Sequence, residues 1–528
     1  MRRRFGSWKP HDSGDDDDML VLPDFASIVG REQVQTSAAA CDYFSSDIFF
    51  WAQRRATNAV IAPANVAEVI RVVRMAAEAG LAIVSRGGGM SYTGGYVPDR
   101  DNCVTLDLRR LNRILEINCE DQYVTVEAGS TWMAVSAALD GSGLRPMFRA
   151  PYSGIYSTVG GALSQGTPDD MAGILSLDVV LADGTAVRTG SAARANYPTP
   201  FFRNFGPDFT GLFIADGGTH GVKTAASIAL EPKPRALGYA SFAYQTLEAM
   251  MRAMVACARE KLPIRLMGLD PRKSQNAPRV GFKDAIETLA KVALTRPKLG
   301  AGMRDAFSMA AAGRNFMEGV RWSLHITAEG SSDSAVEAVL DILRQHTSRE
   351  AREIPNLLPM ALGAKPYSVR GFLGADGERW VPTNAMIPFS VAERAATQVQ
   401  QYFESHRERM NALGMWESYM LAPRPGFVVL EPSFYWRDEV SALHIDHLDS
   451  VSAAKFAGHV ANLPARVFAN ELRDGLKTLL DDLGAAHVQL AKSYAYRSVL
   501  SPEAQQLWQR VRHALDPHDI MNPGNLQR

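Results

Sequence analysis

Residues 84–98 read VSRGGGMSYTGGYVP, with five glycines (Gly87, Gly88, Gly89, Gly94 and Gly95) beside one arginine, Arg86. The stretch follows directly on an apolar run at 81–84. Glycine has no Cβ, so such a segment can press its backbone against another chain or a ligand. Its N–H groups can turn toward one point and form a hollow that suits an anionic diphosphate. No Gly-Lys-Ser/Thr follows, so it is not a P-loop, and the spacing is not that of GxGxxG opening a helix. Taken alone, the segment fits a tight turn as well as a phosphate cradle.

A chain of 528 residues accommodates about three domains, or two large ones. A hydrophobic content of 46% suffices for sizeable cores. The net charge of −1 gives no reason to invoke nucleic acid or an anionic membrane. Four cysteines, Cys41, Cys103, Cys119 and Cys257, are scattered with no CxxC pair. They read as reduced, mostly buried thiols of a cytoplasmic protein. Residues 1–50 open with Arg2–Arg4 and an acidic run at 15–18, which reads as a polar tail and lead-in rather than a secretory signal. No run approaches the length needed to span a bilayer.

Hydrophobic spacing predicts a helix over 65–80, with Val66, Val69, Ile70, Val73 and Ala77 on one face and Gly80 as its cap. Strands are predicted at 81–85, 104–108, 123–127, 177–181, 186–189 and 224–230, and a helix at 131–139. Asp183-Gly184 reads as a hairpin turn. Beyond 232–234 the pattern changes. Strands at 238–244, 264–269, 320–327 and 383–389 alternate with helices at 246–259, 335–345 and 391–403. That theme suggests two βαβ-type halves covering a sheet, with a helical insertion at 273–317.

Four further segments follow the first loop in order: STVGGALSQG (157–166), GILSLDVVLADGTAVRTG (173–190), DFTGLFIADGGTHGVKTAASIAL (208–230) and DPHDIMNPGNL (516–526). Together the five resemble the FAD-binding oxidoreductases of the vanillyl-alcohol oxidase/p-cresol methylhydroxylase superfamily. The resemblance spans roughly 57–232 and the last dozen residues. It implies an α+β fold: a two-subdomain p-cresol methylhydroxylase-type FAD-binding domain over 51–235, a ferredoxin-like α/β cap over 236–488, and a return to the FAD domain over 489–528. It assigns Arg86, Gly87, Gly88, Gly89, Met90, Ser91, Gly94 and Gly95 to the FAD pyrophosphate. Thr158, Val159, Gly160, Gly161 and Ser164 match a second loop along the same cofactor. Gly173, Ile174, Gly221, Val222 and Asn522 complete the matched set.

The chain departs from the superfamily pattern at several points. Where relatives with covalently held flavin often carry histidine in the loop, this chain has Met90, and a thioether cannot make that bond. Non-covalent FAD is therefore expected. His444 and His447 stand at HxxH spacing and read as surface residues of a helix. His220, in the unusual DGGTHG segment, fits an exposed turn or a position near the cofactor.

The substrate side rests on fewer residues. The histidine-rich GHxGDGNxH motif of hydroxyacid members is missing, so no metal is expected. The late Glu-His-Gly of those members is missing too, and at that position the chain reads Lys492-Ser493-Tyr494-Ala495-Tyr496-Arg497. The Tyr496-Arg497 pair resembles the phenolate-binding pair of the aromatic-alcohol branch, with Tyr92 and Tyr494 as further members. A hydroxyl and a guanidinium both favour a bound phenolate. Ordinary packing with a salt bridge at a domain seam is the competing account. Tyr152 falls where that branch places a carboxylate, which makes it a candidate acid/base. Glu417 and Glu431 are other candidate bases, and Tyr435 lies in an aromatic stretch that suits a stacking pocket.

The expected activity is FAD-dependent hydride transfer from an alcohol or amine carbon, benzylic or para-phenolic, with re-oxidation by O2, a quinone or a cytochrome. A 2-hydroxy-acid dehydrogenase is the alternative within the superfamily. A flavoprotein scaffold without catalysis, acting as a binding protein, is the alternative of another class. Analogy allows a homodimer.

Overall fold

The computed structural model describes residues 22–49, 54–147, 153–167, 171–270, 272, 319–364, 367 and 372–528. Residues 1–21 of the expected N-terminal tail and lead-in, the expected insertion at 273–317 and Tyr152 lie outside the described residues.

Three sheets organise the chain. The first has the order β1-β2-β4-β3, with β1 Val34–Gln35, β2 Ala59–Ile61, β3 Ala82–Arg86 and β4 Cys103–Asp107. Strands β2, β4 and β3 run parallel. A parallel pair needs a crossover, and helix Val66–Glu78 supplies it. Asn65 caps that helix by accepting from the Glu68 N–H, while Glu68 reaches back to Asn65 and Ala64. Val69, Val72, Val73 and Ala76 are the buried stripe. Val66, Ile70 and Ala77, expected on that stripe, flank it as partly buried residues.

The second sheet is antiparallel. Its order is β5-β6-β10-β8-β9, with β7 also on β10. The strands are β5 Ile114–Asn118, β6 Tyr123–Glu127, β7 Leu144–Pro146, β8 Ile174–Val180, β9 Ala186–Arg188 and β10 Val222–Pro232. Asp183 and Gly184 turn β8 into β9, with Gly184 at φ 77° and the Asp183 carboxylate accepting from Thr185.

The third sheet has the order β14-β11-β13-β12-β17-β18-β15, with β16 on β18. Its strands are β11 Ala236–Tyr244, β12 Ile264–Leu269, β13 Trp322–Gly330, β14 Arg352–Glu353, β15 Arg379–Pro382, β16 Ala385–Pro388, β17 Trp416–Arg424 and β18 Phe427–Trp436. β11 and β12 both pair antiparallel with β13, so they run parallel to each other with β13 between them. β16 and β17 flank β18 in the same way. Each half is thus a βαβ unit split by a third strand, the ferredoxin-like arrangement expected from sequence. Helices Leu247–Arg259, Asp333–Thr347, Ala392–Ser405 and Leu463–Asp482 bury their apolar stripes here, and Phe403, Phe434, Phe468 and Trp436 fill the core.

One expected strand is broken. Residues 383–389 do not form a single strand, because the ladder stops at Thr383 and Asn384 between β15 and β16. That break places Asn384 at the seam between the third sheet and the glycine-rich loop.

Candidate functional site

β3 ends at Arg86 and delivers the chain into the glycine-rich loop. The loop can pass only if its first residues lack side chains. A Cβ on Gly87 would lie 2.1 Å from Thr158 Oγ1, and one on Gly88 1.9 Å from the Tyr156 carbonyl oxygen. Among the described residues, the N–H groups of Gly87, Gly88, Gly89 and Met90 donate to no protein oxygen. Gly89 is buried and Gly87, Gly88 and Met90 are half-buried, so this run of N–H groups without a protein acceptor is open to an anion. The cradle therefore fits a diphosphate.

Arg86 is not part of that donor run. Its guanidinium lies beneath the loop, 5.1, 4.7 and 5.1 Å from the rings of Tyr43, Phe44 and Tyr96, and donates to the Tyr43 carbonyl oxygen at 3.0 Å. Burial lowers its pKa. Its side chain is thus engaged with the residues under the loop. The Tyr96 hydroxyl donates to the Gly89 carbonyl, and Ser91 N–H donates back to that hydroxyl. Asp47 accepts from Gly94 N–H at 2.8 Å. Lys492 Nζ donates to the carbonyls of Val97 and Gly94, and burial lowers its pKa to about 8. Met90 is partly buried against the core, and Ser91 Oγ meets Thr93 Oγ1 at 3.0 Å.

The other matched segments converge on this loop. Thr158 caps helix Val159–Gln165 by accepting from Gly161 N–H, and Gly160 N–H donates to Ala128. Ser164 accepts at its carbonyl from Gly217 N–H. Gly173 leads into Ile174 at the start of β8, and Gly221 into Val222 at the start of β10. Ile83 N–H donates to Ile520, and Asn522 N–H donates to Ile83, so the C-terminal segment adds to the edge of β3. The side-chain amides of Asn522 and Asn525 both donate to the carbonyls of Gly95 and Gly217. These asparagines stitch the glycine-rich loop to the 216–221 turn.

That turn is buried, contrary to the exposed reading of His220. Asp216 accepts from Gly218 and His220 N–H and pairs with Lys223 at 2.7 Å. His220 Nδ1–H donates to the Leu212 carbonyl oxygen at 2.7 Å, and burial lowers its pKa. His444 and His447 are buried too, at 1% and 8% exposure, which overturns the surface reading. They lie where helix Ala442–Asp446 meets the loop: Leu443 touches Gly89, and the Tyr156 hydroxyl donates to the His447 carbonyl.

A second constellation forms at the break after β15. Asn384 N–H donates to the Tyr494 hydroxyl at 2.9 Å, and its side-chain amide donates to the Tyr92 hydroxyl at 2.6 Å. Arg473, 2% exposed, donates to the Tyr92 carbonyl oxygen, and its positive charge acts on the Tyr494 hydroxyl. His487 bonds the Asn384 carbonyl at 2.6 Å and Asp481 at 2.9 Å, and stacks on Tyr494 at 4.3 Å. Burial, then the Glu431 charge, raises Tyr92 well above its ordinary pKa. Burial pushes Tyr494 up to about 12. Both phenols thus stay neutral. Each hydroxyl oxygen is already an acceptor, so each O–H proton is left to donate to a third group.

Strand parity sorts the two candidate glutamates. Glu431 lies opposite Met420 and Glu417 opposite Phe434, three positions apart along β17, so the two face opposite sides of the sheet. Glu431 faces the tyrosines' side. Glu417 is gripped by Arg407 at 2.7 Å through both oxygens, which holds its carboxyl below the ordinary range despite burial. It lines a separate cavity of about 610 Å³ with Trp322 and Tyr419 and is not part of this constellation. Tyr435 stacks flat on Trp416 at 3.8 Å, on the Glu431 face.

Tyr496 and Arg497 do not form the expected anion clamp. The chain turns after Tyr494: Tyr496 packs edge-on against Trp508, and Arg497 is exposed beside Gln527. The guanidinium comes instead from Arg473. Sequence reading missed Arg473, Asn384 and His487. Arg473 carried a signal, since with Arg466 and Lys477 it interrupts the apolar stripe Ala465, Phe468, Ala469, Leu472, Leu476, Leu480. Asn384 and His487 carried none. Among the described residues, no His, Cys, Asp and Glu side chains gather in a group that could hold a metal ion. No described helix is long and apolar enough to cross a membrane.

A family model described as an FAD binding domain matches residues 57–190, and one described as the C-terminal domain of FAD linked oxidases matches 488–526. The chain is 32% identical to glycolate oxidase subunit GlcD of Bacillus subtilis over 36% of its length and 41% of that protein. It is 32% identical to 1'-carboxy-chondrochloren decarboxylase of Chondromyces crocatus over 41% of each. It is 30% identical to a D-lactate dehydrogenase of Archaeoglobus fulgidus over 42% of this chain and 49% of that one. The matches span less than half of these relatives. Solved structures share the fold over nearly the full length. p-Cresol methylhydroxylase with substrate bound superposes with a TM-score of 0.67 at 16% identity, covering 95% of both chains. 4-Ethylphenol oxidase from Gulosibacter chungangensis in its isoeugenol complex gives 0.67 at 18%, covering 96% and 98%.

Proposed function

We propose that this chain, which belongs to the p-cresol methylhydroxylase-type FAD oxidoreductases, oxidises a para-substituted phenol at its benzylic carbon. Residues 51–235 and 489–528 hold the flavin, without a covalent bond, and 236–488 cover the substrate. One observation carries the substrate class. Two neutral tyrosine hydroxyls, Tyr92 and Tyr494, take their acceptor bonds from Asn384 and keep their protons for an oxyanion beside Arg473.

Bound FAD supplies the hydride acceptor. Gly87, Gly88, Gly89 and Met90 hold its diphosphate through backbone N–H groups. Tyr92, Tyr494 and Arg473 hold the phenolate oxygen and lower the phenol's pKa. Glu431, whose field reaches both hydroxyls, takes the proton of a benzylic alcohol. The buried Arg473 also favours a second reading, a 2-hydroxy acid held by its carboxylate. Relatives named for glycolate and D-lactate lend that reading support.

Anaerobic bleaching of the flavin separates the two. 4-Hydroxybenzyl alcohol should bleach it and D-lactate should not. Arg473→Met should slow bleaching about 10²- to 10³-fold with the flavin retained. Bleaching by hydroxy acids alone refutes the phenol reading.

A further inference from the structure

Residues 197–209 turn their rings out of the protein. Tyr197 is 80% exposed, and Phe201, Phe202, Phe205 and Phe209 are 54%, 51%, 52% and 55% exposed. The backbone beneath them is pinned. Buried Ser191 donates through Oγ to the Thr199 carbonyl at 2.6 Å and accepts there from Phe201 and Phe202 N–H. Ser191 N–H donates to the Phe202 carbonyl at 2.8 Å. Arg194 ties the carbonyls of Ser191 and Tyr197, and Arg203 binds Asp208, which caps helix Phe209–Leu212. The loop is therefore shaped to present these rings.

The rings are joined by charge. The Arg194 guanidinium lies 5.4 Å from the Phe201 ring and 5.8 Å from the Phe205 ring, and it is held by carbonyls rather than by a carboxylate. Residues 186–209 contain three arginines, Arg188, Arg194 and Arg203, against one aspartate, Asp208. Arg203 pairs with Asp208 and Arg188 with Asp178 of β8, so the cation that this face holds without a carboxylate is Arg194, beneath the rings.

We propose that this loop docks the protein on an anionic bilayer surface, with its rings at headgroup level. Phenylalanine and tyrosine interleaved with arginine is the composition that rests at a lipid–water interface. Arg194, which pairs with no carboxylate, answers the negative charge of the leaflet. A second copy of the chain fits less well. Five rings with about half of roughly 200 Å² open on each offer on the order of 500–600 Å². A stable protein interface takes about 800 Å² from each partner.

Sedimentation of the FAD-loaded chain with vesicles tests the proposal. It should pellet with vesicles of equal parts phosphatidylglycerol and phosphatidylcholine, less so in high salt, and not with phosphatidylcholine alone. Phe201→Ser with Phe205→Ser should weaken partitioning at least ~10-fold, and Arg194→Gln severalfold. Flavin content and circular dichroism should stay unchanged, since the rings are exposed. A wild-type chain that pellets with neither vesicle overturns the proposal, as does a double variant that binds as well as wild type. A wild-type dimer that the double variant converts to monomer, seen by sedimentation velocity, overturns it in favour of a self-interface.

Discussion

Replacing Lys223 with methionine isolates the energetics of the turn that anchors the C-terminal segment. Lys223 and Asp216 side chains are 2% and 0% exposed and meet at 2.7 Å. Removing the ammonium leaves a buried carboxylate without its cation, which costs about 3–5 kcal/mol. Asp216 keeps two backbone donors, Gly218 and His220 N–H, so the cost should fall at the low end, about 3 kcal/mol. That corresponds to roughly a 100-fold change in an opening equilibrium. A chain of several cores does not unfold in one step, so the readout must be local. Hydrogen exchange of peptides covering 214–224 supplies it. Lys223→Met should exchange about 100-fold faster there, while peptides from β11 to β13 stay unchanged. Lys223→Met combined with Asp216→Asn should recover most of the protection, because no charge is then left buried. Less than a threefold change in the single variant, or a double variant less protected than the single, refutes the reasoning.

Two further outcomes follow from the structure. Gly88→Ala puts a methyl 1.9 Å from the Tyr156 carbonyl oxygen, a backbone atom that cannot swing aside; the purified variant should carry little FAD, and a normal flavin-to-protein ratio would sink the cradle. His325 is buried between Ser241 and Ser323 hydroxyls, and burial lowers its pKa from 6.5 to about 4. Between those pH values the unfolded chain binds the extra proton, so this group's contribution to stability is lost as pH falls from about 6.5 through about 4. The loss should approach about 3 kcal/mol relative to His325→Asn, followed by hydrogen exchange of peptides covering β11 and β13, and parallel acid profiles would contradict it.

Most elements of the fold could be read from the chain. The strands 123–127 and 264–269 and the helix capped by Thr246 follow from period and cap alone. Expected ends differ by a few residues where ladders extend, as in β10, which runs Val222–Pro232. The five glycine-bearing segments announced the cradle, because the need for missing side chains is written directly in the residue type. The histidines misled. His220, His444 and His447 stand in polar-looking stretches, and only packing buries them.

What the sequence determined by itself is therefore local: which segments become strands or helices, and which loop can let a diphosphate close. What only the tertiary structure decided is which side chains meet. Tyr92 and Asn384 stand 292 residues apart, and Asn384 and Tyr494 stand 110 apart. No local period encodes such a meeting. The ladder break between β15 and β16, the inward turn at Tyr494 and the parity of β17 against β18 made Arg473 and Glu431 the facing charges and sent Arg497 and Glu417 elsewhere. For the two glutamates this is register, where a shift of one residue moves a side chain to the other face, and for the two arginines it is how a helix and a turn pack.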